Sequence, residues 1–422
     1  MNYSCAGQPT QHCPSLPRRS LLTAVALGAP AVAGALVASP AFADPVLGRA
    51  APLGRAAPPG GARSGAGPVP LLDLPAPTGA HPVGTAELHL VDGDRADPLA
   101  PTTRPRELVV RLWYPARASG RPRAPYLPAG VSAVSVGFLN AETGAGFPAD
   151  LLRFPTASRD RAPALAHLSH PVLVFSPGLG LNAAFFTGLH EELASHGYVV
   201  AGIDHTFDAA AVEFPDGRLE LQRADPSDLD LLRGVRAGDI RFVLDQLFRI
   251  ADGANPDAAR RPLPYGLGRA LDLTRTGAYG YSLGSASVVG AVAVDRRIHA
   301  GAALDGSPLG PESLDRAFLL MGNQSHRRVD DPDWAAFYDR LRGPRLHLVI
   351  DSTRHADLSD VTVFKDRIDL GGVFEVGDID GLRAMEIQRR YLTAWFDRAL
   401  RDRRDPLLRG ESARFPEVDF QP

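Results

Sequence analysis

The stretch Thr276-Gly277-Ala278-Tyr279-Gly280-Tyr281-Ser282-Leu283-Gly284-Ser285-Ala286-Ser287-Val288-Val289-Gly290-Ala291 passes from a short uncharged run, through a glycine-flanked serine, into a run of small residues. A buried strand that stops at a sharp turn and leaves as a helix has this pattern. Glycines at 280 and 284 suit a turn with no space for side chains where strand and helix converge. The plainer alternative is a Gly/Ser turn whose serine caps an ordinary helix.

Other short apolar runs lie on either side, at 172–175, 198–203, 300–304 and 346–350. With 276–279 they read as strands buried on both faces, which implies a parallel sheet covered by helices on each side. Amphipathic stretches at 183–196, 228–250, 283–293, 332–342 and 380–400 supply those helices. Residues 86–91 and 107–114 read as earlier strands, the second stopped by Pro115. The fold class is therefore α/β, a doubly wound, mostly parallel sheet with helices on both faces. One catalytic domain is expected over 81–405, followed by a C-terminal tail at 406–422. A separate domain at 208–270 competes, but 228–250 fits better as a crossover helix of the same sheet. The excursion 116–169 is too long for an ordinary loop and is expected to cover part of a site.

The N-terminus reads as an address. Arg18-Arg19 precedes an Ala/Gly/Val/Leu run to Ala38, and Ala41-Phe42-Ala43 is a small-x-small cleavage site. Residues 1–43 are thus expected to be an export signal of the twin-arginine type, making the protein secreted. An uncleaved anchor is the alternative, though the run barely reaches the ~20 residues a span needs. Residues 44–80, rich in Pro, Gly and Ala, read as a flexible leader. Both cysteines, Cys5 and Cys13, fall in the signal, which excludes a disulfide framework, a cysteine-ligated zinc and a cysteine nucleophile in the mature chain. The 422 residues carry a net charge of −3, so no strong single-sign field invites nucleic acid. Lys365 is the only lysine.

A serine hydroxyl needs a base within hydrogen-bond reach. Behind a strand–serine–helix turn, the acid and the base each follow a later strand, in the order Ser, Asp/Glu, His. Asp305 directly follows 300–304, and His355 follows 346–350 by five residues. Of the competitors, His347 lies within a strand and reads as core. His326 sits beside Arg327 and Arg328 and reads as solvated. Asp351 is only four residues from His355 and is a poorer acid than Asp305. Oxyanion donors are expected from the N–H of Leu283, after the serine, and from the glycine-bearing loop 176–180, with Leu179 the best candidate. His205 is a candidate site-wall residue or a simple turn residue.

The order of these segments is that of the α/β-hydrolase fold. More specifically, the chain resembles the secreted platelet-activating-factor acetylhydrolase family. The resemblance covers most of 83–370 and rests on six segments: Leu108–Pro115, Val174–Gly180, Ala194–Ala201, Gly280–Ala286, Ala303-Leu304-Asp305-Gly306 and His355–Asp360. It implies Ser282 as nucleophile, Asp305 as acid, His355 as base, and Leu179 and Leu283 as amide donors. Gly178, Tyr281 and His205 would contact substrate. Tyr281 stands where the family commonly has His, Ser285 where it has Gly, and Pro177 where it often has His, all pocket positions. The activity implied is a secreted serine esterase acting on short-acyl, especially acetyl, lipid esters through an acyl-serine. No metal or organic cofactor is needed. The expected partners are a small-molecule or lipid ester and a transient lipid interface, with the enzyme a monomer. An extracellular lipase or cutinase-like polyester hydrolase is the alternative, and a hydrolase fold kept as a binding module is a further one.

Overall fold

In the computed structural model, which describes residues 71–307 and 312–421, all five of the apolar runs are strands. In chain order the strands are β1 (Val83–Ala96), β2 (Pro105–Pro115), β3 (Arg123–Pro125), β4 (Pro155–Asp160), β5 (His170–Ser176), β6 (Val199–His205), β7 (Ala211–Glu213), β8 (Leu219–Leu221), β9 (Leu271–Tyr281), β10 (Ile298–Leu304), β11 (Ala317–Asn323), β12 (Arg345–Ile350) and β13 (Val418–Phe420). Eleven of them form one sheet in the order β13-β12-β11-β10-β9-β5-β6-β2-β1-β4-β3, and β7 and β8 form a separate hairpin. From β6 to β12 every neighbouring pair is parallel. Antiparallel β2 and β1 extend one side. This is the α/β-hydrolase arrangement.

The two-residue period of a strand divides the core between the sheet's faces. In β5, Leu173 and Phe175 join one cluster and Val172 and Val174 the other. The first face is covered by helices Thr187–Ser195 and Gly381–Arg401, the second by Leu229–Ala251, Leu283–Val294 and Pro332–Arg340. These helices fall where the amphipathic stretches placed them. Helix Leu229–Ala251, whose N-cap Asp228 accepts from Leu231 N, is the crossover leading into β9 of the same sheet. Helix Gly381–Arg401 is fastened to the sheet by Trp395, whose Nε1 donates to Gly301 O at 3.0 Å.

Three expectations need correcting. The segment after 405 is not a free tail. Val418–Phe420 pairs antiparallel with β12, and Phe415 and Val418 are buried. Its signal is only three residues long, too short for periodicity to register. Likewise, the described end of the leader, from residue 71, is fixed to the body. Leu72 is buried, Thr78 N donates to Glu192 Oε2 at 2.8 Å, and Arg389 reaches Pro75 O and Ala76 O. Third, the sheet contains β11, an apolar run that the sequence reading passed over. Four consecutive apolar residues there (318–321) cannot by periodicity alone be told from a helical segment. The excursion 116–169 is ordered. It supplies β3, helix Ala129–Thr143 and β4, and Tyr126 stacks on Phe154 and meets Phe364 edge-on. The stretch expected to be an export signal, residues 1–43, lies outside the described residues. Among the described residues no helix is long and apolar enough to cross a membrane.

Candidate active site

β9 ends at Tyr281 and the next helix begins at Leu283. Between them Ser282 sits at φ 53°, ψ −125°. A non-glycine residue held there costs ~1–3 kcal/mol, which the surrounding packing must outweigh. Ser282 N–H donates to Leu304 O at 3.0 Å, tying the turn to the end of β10. The glycines have definite reasons. A Cβ at Gly280 would lie 2.2 Å from Gly284 O, and one at Gly284 would lie 2.0 Å from Ser176 O. One at Gly306 would lie 2.1 Å from Ser282 O. The side chain of Ser282 makes no capping hydrogen bond, so the helix-cap alternative fails.

Asp305 follows β10 directly, at φ 48°, and is 1% exposed. Its carboxylate accepts from His355 Nδ1 at 2.6 Å, Asn323 N at 2.5 Å and Asn323 Nδ2 at 2.8 Å. Burial opposes its charge. The neighbouring His326, the hydrogen bond and charge of His355 and the Asn323 amide outweigh burial and hold the carboxyl below its ordinary range. With Nδ1 committed to Asp305, the neutral imidazole of His355 presents Nε2 as a proton acceptor.

His355 opens a short 3-10 turn, His355–Leu358, and the turn is held from two sides. Tyr281, the residue before Ser282, stacks on the imidazole at 4.7 Å, and its hydroxyl donates to His355 O at 3.0 Å. Behind the turn, buried Asp357 accepts from Arg354 N at 2.8 Å, Thr362 Oγ1 at 3.0 Å and Lys365 Nζ at 2.6 Å. The only lysine in the chain thus helps to hold the turn that carries His355.

The loop after β5 brings Gly178 against the serine: a Cβ there would lie 3.3 Å from Ser282 Cβ and 2.9 Å from the Tyr281 ring. Leu179 and Leu283 pack together with Leu232 and Ala224 in one small apolar cluster. The two residues named as amide donors therefore share one side-chain cluster. Leu283 is the first residue of its helix, where an N–H has no partner within the helix.

Not every sequence candidate lands on this site. His205, expected at the site wall, is 1% exposed and has no surface to offer a substrate. It bridges Ser176 Oγ at 2.9 Å and Asp239 Oδ2 at 2.8 Å beneath the loop. Burial, and then Arg236, lower its pKa. Tyr281, expected to touch substrate, is 3% exposed, enclosed between His355, Phe186 and Gly178. It orients the base instead. His326, expected in solvent, is buried. It stacks on Trp334 at 4.1 Å, pairs with Asp331 at 2.6 Å and brings Nε2 to 3.6 Å from Asp305 Oδ1. His347 is core, as expected, lying against Trp334 and Tyr338. Asp351 pairs with Arg327, while His355 Nδ1 bonds Asp305. Asn323, His326 and Asp357 were missed as supports of the acid and base. Asn323 ends β11 next to Asp305, so recognising that strand would have exposed it.

A serine on a strained elbow, a buried carboxylate locked to a histidine, and a glycine loop against the serine together can perform nucleophilic acyl transfer. Comparisons with known proteins point to ester hydrolysis. Residues 69–218 match the family described as platelet-activating factor acetylhydrolase, isoform II. A probable 1-alkyl-2-acetylglycerophosphocholine esterase from Arthroderma benhamiae is 29% identical over 82% of this chain and 93% of its own. The platelet-activating factor acetylhydrolase of Cavia porcellus is 22% identical over 69% and 72%. Among solved structures, a ferulic acid esterase from Streptomyces cinnamoneus is 34% identical, with a TM-score of 0.72 over 83% of this chain and 99% of that one.

Proposed function

The chain belongs to the platelet-activating-factor acetylhydrolase family of α/β-hydrolases and is a carboxylic ester hydrolase, and from that premise we propose that it is an exported serine esterase acting on short-acyl esters of the platelet-activating-factor type. Ser282 Oγ attacks the ester carbonyl and its proton passes to Nε2 of His355. Asp305 holds the ring in the tautomer this requires and stabilises the imidazolium. The N–H groups of Leu179 and Leu283 receive the negative charge that develops on the carbonyl oxygen. The C–O bond then breaks, His355 returns the proton to the departing alcohol, and Ser282 is left acylated. Water attacks by the same route in reverse order of partners, and a carboxylic acid is released. The observation that carries this reading is the 2.6 Å contact between His355 Nδ1 and Asp305, beside an elbow serine.

Export rests on Arg18-Arg19, the apolar run and Ala41-Phe42-Ala43. A second reading of the acyl group is favoured by the 34% identity to a ferulic acid esterase: an aromatic acyl ester in place of acetyl. Rates of the parent and Ser282→Ala proteins on nitrophenyl acetate, acetylated alkyl-glycerophosphocholine and methyl ferulate test both. The first reading expects a steep preference for acetyl. Faster turnover of the ferulate would select the second, and hydrolysis by Ser282→Ala at the parent rate would refute the serine mechanism.

A further inference from the structure

The proposed oxyanion loop is held from behind by a residue outside every motif that defines the site. Arg236, on helix Leu229–Ala251, is fully buried. Its Nη1 donates to Pro177 O and its Nη2 to Gly178 O at 3.1 Å. The opposite edge of the guanidinium is fixed by Asp208, through Nε to Oδ2 at 2.7 Å and Nη2 to Oδ1. The ion pair is therefore bidentate, which sets the plane of the fork as well as its position.

The consequence follows from peptide geometry. In a planar trans peptide, the C=O and the N–H of the next residue point in opposite directions. Gly178 C=O and Leu179 N–H share one peptide plane. Drawing the Gly178 oxygen toward the guanidinium therefore turns Leu179 N–H the other way. The same holds for Pro177 C=O and Gly178 N–H. The serine lies close to this loop, since a Cβ on Gly178 would sit 3.3 Å from Ser282 Cβ. Glycine at 178 has no side chain of its own to resist a peptide flip; its carbonyl accepts from Leu181 N at 3.2 Å within the loop, and Arg236 holds the same oxygen from outside together with the preceding carbonyl.

We infer that Arg236 is a positioning residue for ester hydrolysis: its fork on the Pro177 and Gly178 carbonyls, braced by Asp208, aims the Leu179 amide at the oxyanion. This rests on the reading of Ser282 as nucleophile. An arginine suits the task better than a lysine, because one rigid fork serves two carbonyls and a carboxylate at once. Arg236 touches no substrate. It sets a donor that acts in both acylation and deacylation, because both pass through an oxyanion.

The test uses the full mature chain with two variants. Arg236→Lys keeps the charge opposite Asp208 and loses the fork. Arg236→Met combined with Asp208→Asn removes both charges, so no lone ion is left buried. Active sites are titrated first, so that kcat is counted per folded, reactive serine. With nitrophenyl acetate, the double variant is expected to lose ~10²–10³-fold in kcat, the effect of losing one oxyanion donor. KM should stay within about threefold, and affinity for a trifluoromethyl ketone, which forms an oxyanion on the serine, should fall in parallel with kcat. Arg236→Lys should fall between the parent and the double variant. Should the double variant fail to fold, Arg236→Lys decides alone, with at least a tenfold loss expected. A folded Arg236→Lys or double variant with kcat and ketone affinity within threefold of the parent would overturn the inference. If Ser282→Ala is inactive in that same experiment, only the role of Arg236 has failed. If Ser282→Ala is active, the reading of the site has failed with it.

Discussion

Replacing Gly284 with alanine adds one methyl group at the most crowded point of the elbow. The new Cβ would lie 2.0 Å from Ser176 O and 2.6 Å from Pro177 O. Ordinary contact begins near 3.4 Å, so the loop must retreat by about 3.4 − 2.0 = 1.4 Å. The obstructing atoms are backbone oxygens; Arg236 Nη1 donates to one of them, Pro177 O, and His205 bonds the side-chain hydroxyl of Ser176. A retreat of about 1 Å at a reacting centre costs ~10²-fold in rate. The strain of overpacking adds ~1–3 kcal/mol of destabilisation. Gly284→Ala is therefore expected to lower kcat on nitrophenyl acetate by about two orders of magnitude, with KM little changed, and to lower the urea midpoint. Gly290→Ala is the control, being the same substitution six residues along the same helix. Its Cβ would meet nothing nearer than Ala237 Cβ at 3.6 Å. It should leave kcat unchanged and stabilise by ~0.5–1 kcal/mol, the usual gain of alanine over glycine inside a helix. Steady-state kinetics and urea unfolding of the two variants decide the matter. A Gly284→Ala enzyme as fast and as stable as Gly290→Ala would refute the reasoning about the loop.

Asp305→Asn should lower kcat by ~10³–10⁴-fold through loss of the correct tautomer, whereas Asp351→Asn should change it less than twofold, and the same esterase assay on both variants checks this. Asp360 is buried against Tyr126 and Gly188, and desolvation raises its pKa to about 8, so the folded protein binds a proton that the unfolded chain releases near pH 4. Stability from this group is complete below pH 4 and drains away as pH rises toward 8; Asp360→Asn should flatten that decline, and unfolding midpoints of parent and variant should agree near pH 4.5 and favour the variant near pH 8. Truncation after Ser412 removes β13 together with buried Phe415 and Val418, and at ~1.5–3 kcal/mol per buried side chain it should cost several kcal/mol in urea unfolding.

The centre of the fold was legible because strands buried on both faces announce themselves as short apolar runs, and β5, β6, β9, β10 and β12 all do so. Ser282, Asp305 and His355 of the proposed acyl-transfer site were picked out for a related reason: each follows such a run, and the topology gathers the carboxyl ends of parallel strands along one edge. What stayed hidden depends on contacts that leave no local pattern. Asn323 supports Asp305 only because β11 lies beside β10, and that neighbour relation is not encoded near either residue. His326 precedes Arg327 and Arg328 in the chain yet is buried by Trp334, eight residues on. His205 looked like a site residue because it ends a strand. Its burial follows from Arg106, which shares Asp239 with it and comes from the distant β2. The C-terminal strand was hidden by brevity, since Val418–Phe420 is shorter than any usable period.

The central claim is that Ser282 is made reactive by His355, itself held by Asp305. Peptide mass spectrometry after brief exposure to a fluorophosphonate tests it most directly. A single adduct is expected, on the peptide that contains Ser282, absent in Ser282→Ala and formed at least a hundredfold more slowly in His355→Ala. An adduct on another residue, or labelling that His355→Ala leaves undiminished, would contradict it.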